Sequence, residues 1–195
     1  MKKIKQQKQI KQYLVNEFGT ELGNHLYDLE EHKLYEVIAS TKNKSENQMK
    51  TLEQTILPRI ALYKVLLEES STKDKASEYL RKYMIDIVAK QKHSSTAKME
   101  IVPGFYTIYS NIFLKIMRTT DLQVSTQEKG KDYYNVTITK CLWHTACVEN
   151  NCGELCKLFC DVDDVTYGGL KKIGLTRTKT LGYGGDSCDF HFFKK

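Results

Sequence analysis

The stretch Cys152-Gly-Glu-Leu-Cys156-Lys-Leu-Phe-Cys160-Asp-Val-Asp163-Asp164 organises the C-terminal part of this 195-residue chain. Its three cysteines recur every four residues, and on an α-helix this spacing places side chains along one face. Asn151 followed three residues later by Glu154 has the arrangement of a capping box. The pattern therefore predicts a helix that begins just before Cys152 and ends at Gly168-Gly169.

A second stretch, near the C-terminus, supplies complementary chemistry: Arg177-Thr-Lys-Thr-Leu-Gly-Tyr-Gly184-Gly185-Asp186-Ser-Cys188-Asp189-Phe-His191. Together the two stretches contain thiols, carboxylates, an imidazole and a guanidinium. Such groups cost free energy to bury without partners, so a cluster of them indicates a site. We therefore expect Cys141, the cysteine-bearing helix and this second stretch to converge on one small-molecule site.

Short alternating segments surround these stretches and are typical of β-strands. The predicted strands cover residues 122–127, 133–141, 173–181 and 188–193. Turn residues around Gly130 and at Gly182–Asp186 join them into two antiparallel hairpins, with helices inserted between the hairpins.

Upstream of residue 119, apolar residues recur with the helical period. The predicted helices cover residues 4–18, 20–38, 46–69, 73–92 and 97–118. Pro58 should kink or restart the third of them, and Pro103-Gly104 should interrupt the last. The polar segments Ser70–Thr72 and His93–Thr96 predict breaks between helices.

These elements predict an α+β fold in which an N-terminal helical region packs on a small C-terminal antiparallel sheet with an inserted cysteine-bearing helix. The helical region covers residues 1–118 and the sheet with its inserted helix covers residues 119–195. We expect the two to form one compact domain, since the length suits a single core.

Composition and charge exclude several classes of function. The chain is 41% hydrophobic and 28% charged, as in ordinary globular proteins. Five lysines and no acid occur in residues 1–12, so they account for five of the six net positive charges. Because no aromatic residues interleave with these lysines, they indicate a solvated helix end, and we expect no nucleic-acid partner.

The chain shows neither the apolar stretch of a signal peptide nor a run long enough to span a membrane. We therefore expect a cytoplasmic protein with no membrane partner. In that compartment the six cysteines are expected to be thiols, ligands or nucleophiles rather than disulfides.

Several candidate residues have both a functional and a structural interpretation. Asp163-Asp164 suits a general base, a metal ligand or an anchor for a cation, or else a solvated helix face. Arg177 suits a bidentate clamp on a carboxylate, or a surface position on a strand. Cys156 and Cys160 flank apolar residues, so packing in the core is the alternative to a functional role.

Strand alternation limits how these groups combine. Cys188 and His191 are three residues apart on the last strand, so their side chains should point to opposite faces. Cys188 should share a face with Phe190 and Phe192, while Asp189 should share a face with His191 and Phe193.

A zinc site is a different possible use of the cysteines. The Cys-x3-Cys pairs lack the tight knuckle spacing and have no clear partner pair elsewhere in the chain. Thiols from Cys156, Cys160 and Cys188 with a carboxylate could form such a site, but we expect no metal and no cofactor.

Three motifs carry a resemblance to a known family. They are Glu154-Leu-Cys156-x-x-Phe-Cys160-x-x-Asp163, then Arg177-Thr-x-Thr-Leu-x-x-Gly184-Gly185-Asp186-x-Cys188-Asp189-Phe190, and Pro58-x-x-Ala61-Leu-Tyr-Lys64-x-Leu. Together they resemble the L-2-amino-thiazoline-4-carboxylic acid hydrolase family over most of the chain beyond the first helix. The resemblance implies a hydrolase that opens a small cyclic amidine-like C–N bond, yielding N-carbamoyl-cysteine.

The candidate residues are compatible with that chemistry. An acid among Asp163, Asp164 and Asp186 would bind the amidine-like cation, Arg177 would bind the carboxylate, and Cys156 would line the substrate site. Attack on the ring carbon could come from water or from a thiolate at Cys160 or Cys188. Proton transfer would fall to Asp163 or to a histidine, His144 or His191.

Two further functions are compatible with the same residues. The pocket could serve a non-catalytic ligand-binding or sensor domain, or the cysteines could hold a metal or a redox centre. The oligomeric state is not encoded in any feature of the sequence that we recognise.

Overall fold

The computed structural model describes residue 4 and residues 6–70 and 72–195. The chain combines a long helical part with a four-stranded antiparallel sheet near the C-terminus, which confirms the predicted α+β class. The lysines at positions 2, 3 and 5 lie outside the described residues, and the first helix begins at Gln7. The interpretation of the lysine-rich start as a solvated helix end therefore stays a prediction.

The chain divides into two compact units. The first contains the described residues up to Tyr83 together with Ala146–Leu155, and the second contains Met84–Thr145 with Cys156–Lys195. The predicted boundary between residues 118 and 119 separates helical from strand-rich sequence, and as a domain boundary it stays a prediction.

The first unit is helical, and its helices begin and end close to the predicted positions. They are α1 Gln7–Phe18, α2 Thr20–Ser40, α3 Glu46–Thr51, a π-helical segment Leu52–Ile56, α4 Leu57–Glu69 and α5 Lys73–Arg81. Helices α1 and α2 cross so closely that a Cβ at Gly23 would lie 2.5 Å from Val15 Cα. Glycine at this position is what allows the two backbones to approach.

Pro58 explains the π-helical segment that precedes α4. Proline has no N–H, and its ring clashes with the carbonyl four residues earlier, which is that of Gln54. The helix widens over Leu52–Ile56, and the Gln54 carbonyl accepts a hydrogen bond from the Gln6 side chain instead. The predicted kink or restart at Pro58 is thereby realised as a π-helical turn.

The predicted break at His93–Thr96 is wrong. The chain stays helical from α5 through a π-helical segment, Lys82–Ala89, into α6, Lys90–Met99. The polar side chains there bond back to the helix: Thr96 Oγ1 donates to the Lys92 carbonyl at 3.0 Å, and Ser95 Oγ donates to the Gln91 carbonyl at 2.9 Å. Polar composition alone therefore does not end this helix.

The second unit is built on the sheet, whose strand order is β1-β2-β4-β3. Its strands are β1 Gln123–Lys129, β2 Tyr133–Cys141, β3 Ile173–Thr176 and β4 Cys188–Lys194. The helices are α7 Phe105–Thr119, α8 Leu142–Glu149, which continues into the first unit, and α9 Cys156–Tyr167. All neighbouring strands pair antiparallel, so both predicted hairpins join one sheet.

The two faces of the sheet differ sharply in chemistry. Buried residues of β2 and β4 share the inner face with side chains of α7; these strand residues are Tyr134, Val136, Ile138, Cys188, Phe190 and Phe192. On α7, the Phe113 ring lies 5.0 Å from the Phe192 ring and 5.7 Å from the Tyr134 ring. Asp189 and His191 alternate with the buried residues of β4 and belong to the outer face.

Helix α9 begins later than predicted. Asn151 is not an N-cap: it has a left-handed conformation with φ 57° and terminates α8. Its N–H bonds to the Val148 carbonyl and the Cys152 N–H bonds to the Cys147 carbonyl, which is the Schellman pattern of a helix C-terminus. A short 3-10 turn, Gly153–Leu155, follows, and regular α-helix starts at Cys156.

Strand β3 is shorter than predicted because a side chain takes over its hydrogen bonds. It ends at Thr176, and the Asp189 carboxylate accepts from the N–H groups of Thr178 and Lys179 at 2.9 and 2.8 Å. The chain then forms a 3-10 turn at Leu181–Tyr183, where the Thr180 side chain accepts from the Tyr183 N–H.

Candidate active site

The inward side of α9 presents a row of reactive side chains to the turn that precedes β4. Cys156, Cys160, Asp163 and Tyr167 follow one another at intervals of four, three and four residues, which is the spacing of one helical face. The 3-10 turn contacts this helix so closely that a Cβ at Gly182 would lie 2.8 Å from Cys160 Sγ and 3.0 Å from the Cys156 carbonyl oxygen. A side chain at this position would press on Cys160 and on the backbone of α9, which favours glycine.

Three thiols meet at this junction. The thiol of Cys160 forms side-chain hydrogen bonds with Cys156 and Thr180, and Cys188 Sγ accepts the Leu181 N–H at 3.3 Å. The pKa of Cys160 is raised well above its ordinary value by the bond to Cys156 and by burial. Burial also raises the pKa of Cys188. These two thiols are therefore protonated at neutral pH.

Cys141 belongs to the same neighbourhood. It lies at the end of β2, and its thiol is close enough to Cys156 and Cys188 to be influenced by their charge. Burial raises the pKa of Cys141 to about 12. Cys141 is therefore a neutral thiol at neutral pH.

Arg177 is the cation of the site. Its side chain is only 8% exposed, and Nη2 donates to the Cys160 carbonyl at 2.8 Å and to Asp164 Oδ2 at 2.6 Å. The guanidinium carbon also lies 5.5 Å from the centre of the Phe190 ring. Its other terminal nitrogen, Nη1, is buried and has no acceptor within the described part of the chain. An unsatisfied buried donor of this kind is costly, and a carboxylate oxygen would satisfy it.

Asp163 is the carboxyl group of the cluster whose pKa is raised. Its carboxylate is half-buried and makes no hydrogen bond or ion pair with any residue that the structure describes. Burial raises the pKa of Asp163 to about 6, while the nearby charges of Lys92 and Arg177 partly oppose that rise. The neighbouring Asp164 differs, because it is exposed and paired with Arg177.

Tyrosine hydroxyls complete the surroundings of Asp163, and sequence reasoning missed them. Tyr109 on α7 and Tyr167 on α9 have hydroxyl oxygens 2.6 Å apart, and the pKa of each is raised by burial and by the charge of Asp163. Tyr134 on β2 is fully buried, and its hydroxyl has no partner among the described residues. Their one sequence signal is the position of Tyr167, one helical turn after Asp163, since the spacing of Tyr109 is typical of core packing.

Two predicted site residues lie elsewhere. Asp186 is exposed in the turn before β4, where it pairs with Lys179 at 2.6 Å and accepts from Ser187 at 2.8 Å. His191 is on the outer face of the sheet, 2.6 Å from Asn135 Oδ1, whereas Cys188 is on the inner face. The structure thus separates Cys188 from His191, as strand alternation predicted.

Metal binding by the cysteines would require further ligands close to the thiols. Within the described residues, no cluster of three or more histidine, cysteine, aspartate or glutamate side chains is arranged to hold a metal ion. In that part of the chain, no helix has both the length and the apolar content required to cross a membrane.

The fold is α+β, and the cluster places thiols, carboxylates and a guanidinium between α9 and the inner face of a small sheet. The family model for L-2-amino-thiazoline-4-carboxylic acid hydrolase matches residues 49–192, and the chain belongs to that hydrolase family. The matched region starts in α3 and includes every residue of the cluster, while α1 and α2 precede it. Neither the curated proteins nor the solved structures contain a match.

Proposed function

We propose that this protein hydrolyses 2-aminothiazoline-4-carboxylate to N-carbamoyl-cysteine at the cluster formed by α9, β4 and the turn before β4. One observation carries the proposal: an unpaired, half-buried carboxylate and a buried guanidinium with a vacant N–H donor occur in the same cluster. The substrate has the matching pair of groups, an amidine-like centre and a carboxylate.

Arg177 binds the substrate carboxylate. Nη2 is held by Asp164 and by the Cys160 carbonyl, so the guanidinium is fixed and Nη1 is oriented before substrate arrives. A charge-assisted hydrogen bond from a desolvated guanidinium is strong and directional. This contact orients the ring. Asp164 is exposed, but it belongs to the site because it holds Nη2 of Arg177 in place.

Asp163 activates the attacking water. With a pKa of about 6, its carboxyl is mostly ionised at neutral pH yet more basic than an ordinary aspartate. Asp163 takes a proton from water, and the hydroxide oxygen bonds to the ring carbon that joins the ring sulfur and the two nitrogens.

The tetrahedral intermediate then opens the ring. The carbon–sulfur bond breaks, its electron pair leaves with sulfur, and Asp163 returns its proton to that sulfur. The new hydroxyl loses its proton to solvent as the carbonyl forms, which gives N-carbamoyl-cysteine from the amidinium form and one water. In this route the amidine C=N becomes a single bond, and the bond that is cleaved is C–S.

The state of the thiols favours water over a cysteine nucleophile. A thiol attacks as its thiolate. The hydrogen bond to Cys156 and burial raise the pKa of Cys160, and burial raises the pKa of Cys188, so neither forms a thiolate readily at neutral pH. We assign Cys156, Cys160 and Cys188 to the wall of the site, as polarisable groups beside the ring sulfur, with Cys160 and Cys188 in their neutral form. His191, on the opposite face of the sheet, has no part in this route, and Asp186 has none either.

The cysteine replacements test this choice. With thiol release from the aminothiazoline acid as the assay, Cys160→Ser and Cys188→Ser should keep turnover within about tenfold of wild type. Intact-protein mass spectrometry during turnover should show no covalent adduct. Loss of turnover in either variant, with an adduct on the wild-type cysteine, would establish a thiolate mechanism instead.

A non-catalytic binding domain is a second function that the same geometry allows. If the compound raises the melting temperature of the wild-type protein but is recovered unchanged after prolonged incubation, the site binds without catalysis. We place the reaction in the cytoplasm, and the absence of a disulfide among the six cysteines, all of which the structure describes, supports this.

A further inference from the structure

The outer face of the sheet holds a groove distinct in chemistry from the thiol cluster. Its volume is about 480 Å³, enough for a small organic molecule. The floor is formed by outward side chains of three strands, namely Thr126, Glu128, Asn135, Thr137, Asp189 and His191. Arg177 contributes to the wall, and its charge is already paired with Asp164.

Strand pairing aligns these side chains in two rows across the sheet. Thr126 lies opposite Thr137, which lies opposite Asp189. In the next row Glu128 lies opposite Asn135, which lies opposite His191. The register therefore fixes the polar groups relative to one another, independently of any loop.

A chain of hydrogen bonds orders the second row. Tyr133 Oη donates to Glu128 Oε1 at 2.8 Å, and Asn135 Nδ2 donates to Glu128 Oε2 at 3.1 Å. Because the carboxylate only accepts, the amide nitrogen of Asn135 must face Glu128, so Asn135 Oδ1 faces His191. His191 Nδ1 lies 2.6 Å from that oxygen and must be the donor.

These hydrogen bonds leave one ring nitrogen of His191, Nε2, for a ligand. With its proton on Nδ1, a neutral His191 has a lone pair on Nε2, and the imidazole is held in place by Asn135 and by the flanking rings. The centre of the His191 ring is 6.0 Å from that of Tyr133 and 5.6 Å from that of Phe193. The two rings thus hold the imidazole in place, and the groove offers a fixed acceptor at His191.

The carboxylates set the charge of the groove. Hydrogen bonds from Tyr133 and Asn135 lower the pKa of Glu128. Burial alone would raise the pKa of Asp189, but hydrogen bonds from Thr178 and the Lys179 N–H hold it below its ordinary value. Both groups are therefore ionised at neutral pH, and an N–H donor of positive charge complements them.

We propose that this groove is a second ligand site, which takes a small organic cation with N–H donors, an amine or an amidinium. His191 Nε2 and Glu128 accept its hydrogen bonds, and the carboxylates of Glu128 and Asp189 attract its charge. Arg177 borders both this groove and the proposed active site, but the acceptors His191 and Glu128 lie on the opposite face of the sheet from Cys188, so the proposal does not depend on the hydrolase activity.

The test compares three probes that share one ring: benzamidine, benzamide and benzoate. Protein labelled with ¹³C-histidine is titrated with each at constant ionic strength, and the His191 signal is assigned from the spectrum of His191→Gln. Benzamidine should shift the His191 signal to saturation, while benzamide and benzoate should leave it in place.

Two substitutions locate the binding. Glu128→Gln should lower the affinity for benzamidine by at least about fivefold. Asp132→Asn, at an exposed acid that pairs with Lys194, should leave that affinity unchanged. Asp163→Asn should also leave it unchanged, which separates this groove from the proposed active site. Benzoate or benzamide binding as tightly as benzamidine, or equal affinity in Glu128→Gln, would overturn the proposal.

Discussion

Two buried carboxyl groups, one in each unit, show how the same physical cause leads to different chemistry. Glu30 in the helical unit is 0% exposed; Oε1 accepts from Gln7 Nε2 at 3.1 Å, and Oε2 has no partner among the described residues. Burial raises the pKa of Glu30 to about 8. Burial also raises the pKa of Asp163, but only to about 6, since Lys92 and Arg177 partly oppose it.

The difference lies in the neighbours rather than in the carboxyl groups. At neutral pH Glu30 is mostly a neutral acid and Asp163 is mostly a carboxylate. Glu30 bonds to Gln7 and lies near Tyr27 and Tyr83, while Asp163 lies beside a guanidinium, thiols and tyrosine hydroxyls. The proposed role of Asp163 therefore rests on the cation and the hydroxyl groups beside it, and not on desolvation alone.

The largest expected effect separates the two carboxyls by activity. Asp163→Asn should lower kcat by about 10²–10⁴-fold, because the amide cannot accept the proton of water. Glu30→Gln should leave kcat within about threefold of wild type. Thiol release from the aminothiazoline acid measures both, and equal losses in the two variants would contradict the assignment.

The pH dependence of wild-type activity sharpens the same assignment. Turnover should rise as pH increases through about 6, where Asp163 loses its proton, and should fall away below that pH. The profile of kcat/KM against pH measures this ionisation in the free enzyme. A profile that instead rises only through alkaline pH would indicate that a thiol supplies the nucleophile.

Substrate discrimination should depend on Arg177. Arg177→Lys removes the rigid fork that Nη1 and Nη2 provide, so KM for the aminothiazoline acid should rise by about 10–100-fold. For 2-aminothiazoline without the carboxylate, wild type and variant should differ little. Similar losses for both compounds would show that Arg177 only supports the fold.

Stability should separate the two carboxyls by the pH range over which they act. A carboxyl group with a raised native pKa holds its proton more tightly in the folded protein than in the unfolded chain. Its contribution to the free energy of unfolding is therefore fully present below the unfolded pKa and is lost as pH rises through the folded pKa. The window is about pH 4.5–8 for Glu30 and about pH 3.8–6 for Asp163.

Neutral amides remove this cost of ionisation. The free energy of unfolding of Glu30→Gln should exceed that of wild type by about 2–4 kcal/mol at pH 9 and by almost nothing at pH 4. Asp163→Asn should gain about 1–3 kcal/mol, already complete at pH 7. Thermal unfolding across pH measures both gains, and gains that do not depend on pH would contradict the origin in desolvation.

The smallest effect expected is at the tyrosine pair. Tyr167→Phe removes the hydroxyl that lies 2.6 Å from Tyr109 Oη, beside Asp163 but without a bond to it. We expect a decrease in kcat of about 3–10-fold, with KM little changed. A decrease as large as that of Asp163→Asn would make the tyrosine pair part of the proton transfer itself.

The spacing of apolar and polar residues along the sequence determined much of the fold. Alternation predicted the strands and their faces, including the separation of Cys188 from His191, and helical spacing predicted the cysteine row on α9. The sequence also identified Arg177 and Asp163 as candidates. These features depend on local geometry, in which side-chain direction follows directly from residue spacing.

Only the tertiary structure decided how those side chains are used. Asn151 became the end of one helix instead of the start of another, and Asp189 shortened β3 by accepting backbone hydrogen bonds. The ionisation of Asp163 and the neutral state of Cys141 and Cys188 depend on burial and on neighbours distant in sequence. Sequence spacing determines which groups share a face, but desolvation and charge depend on everything that packs against that face.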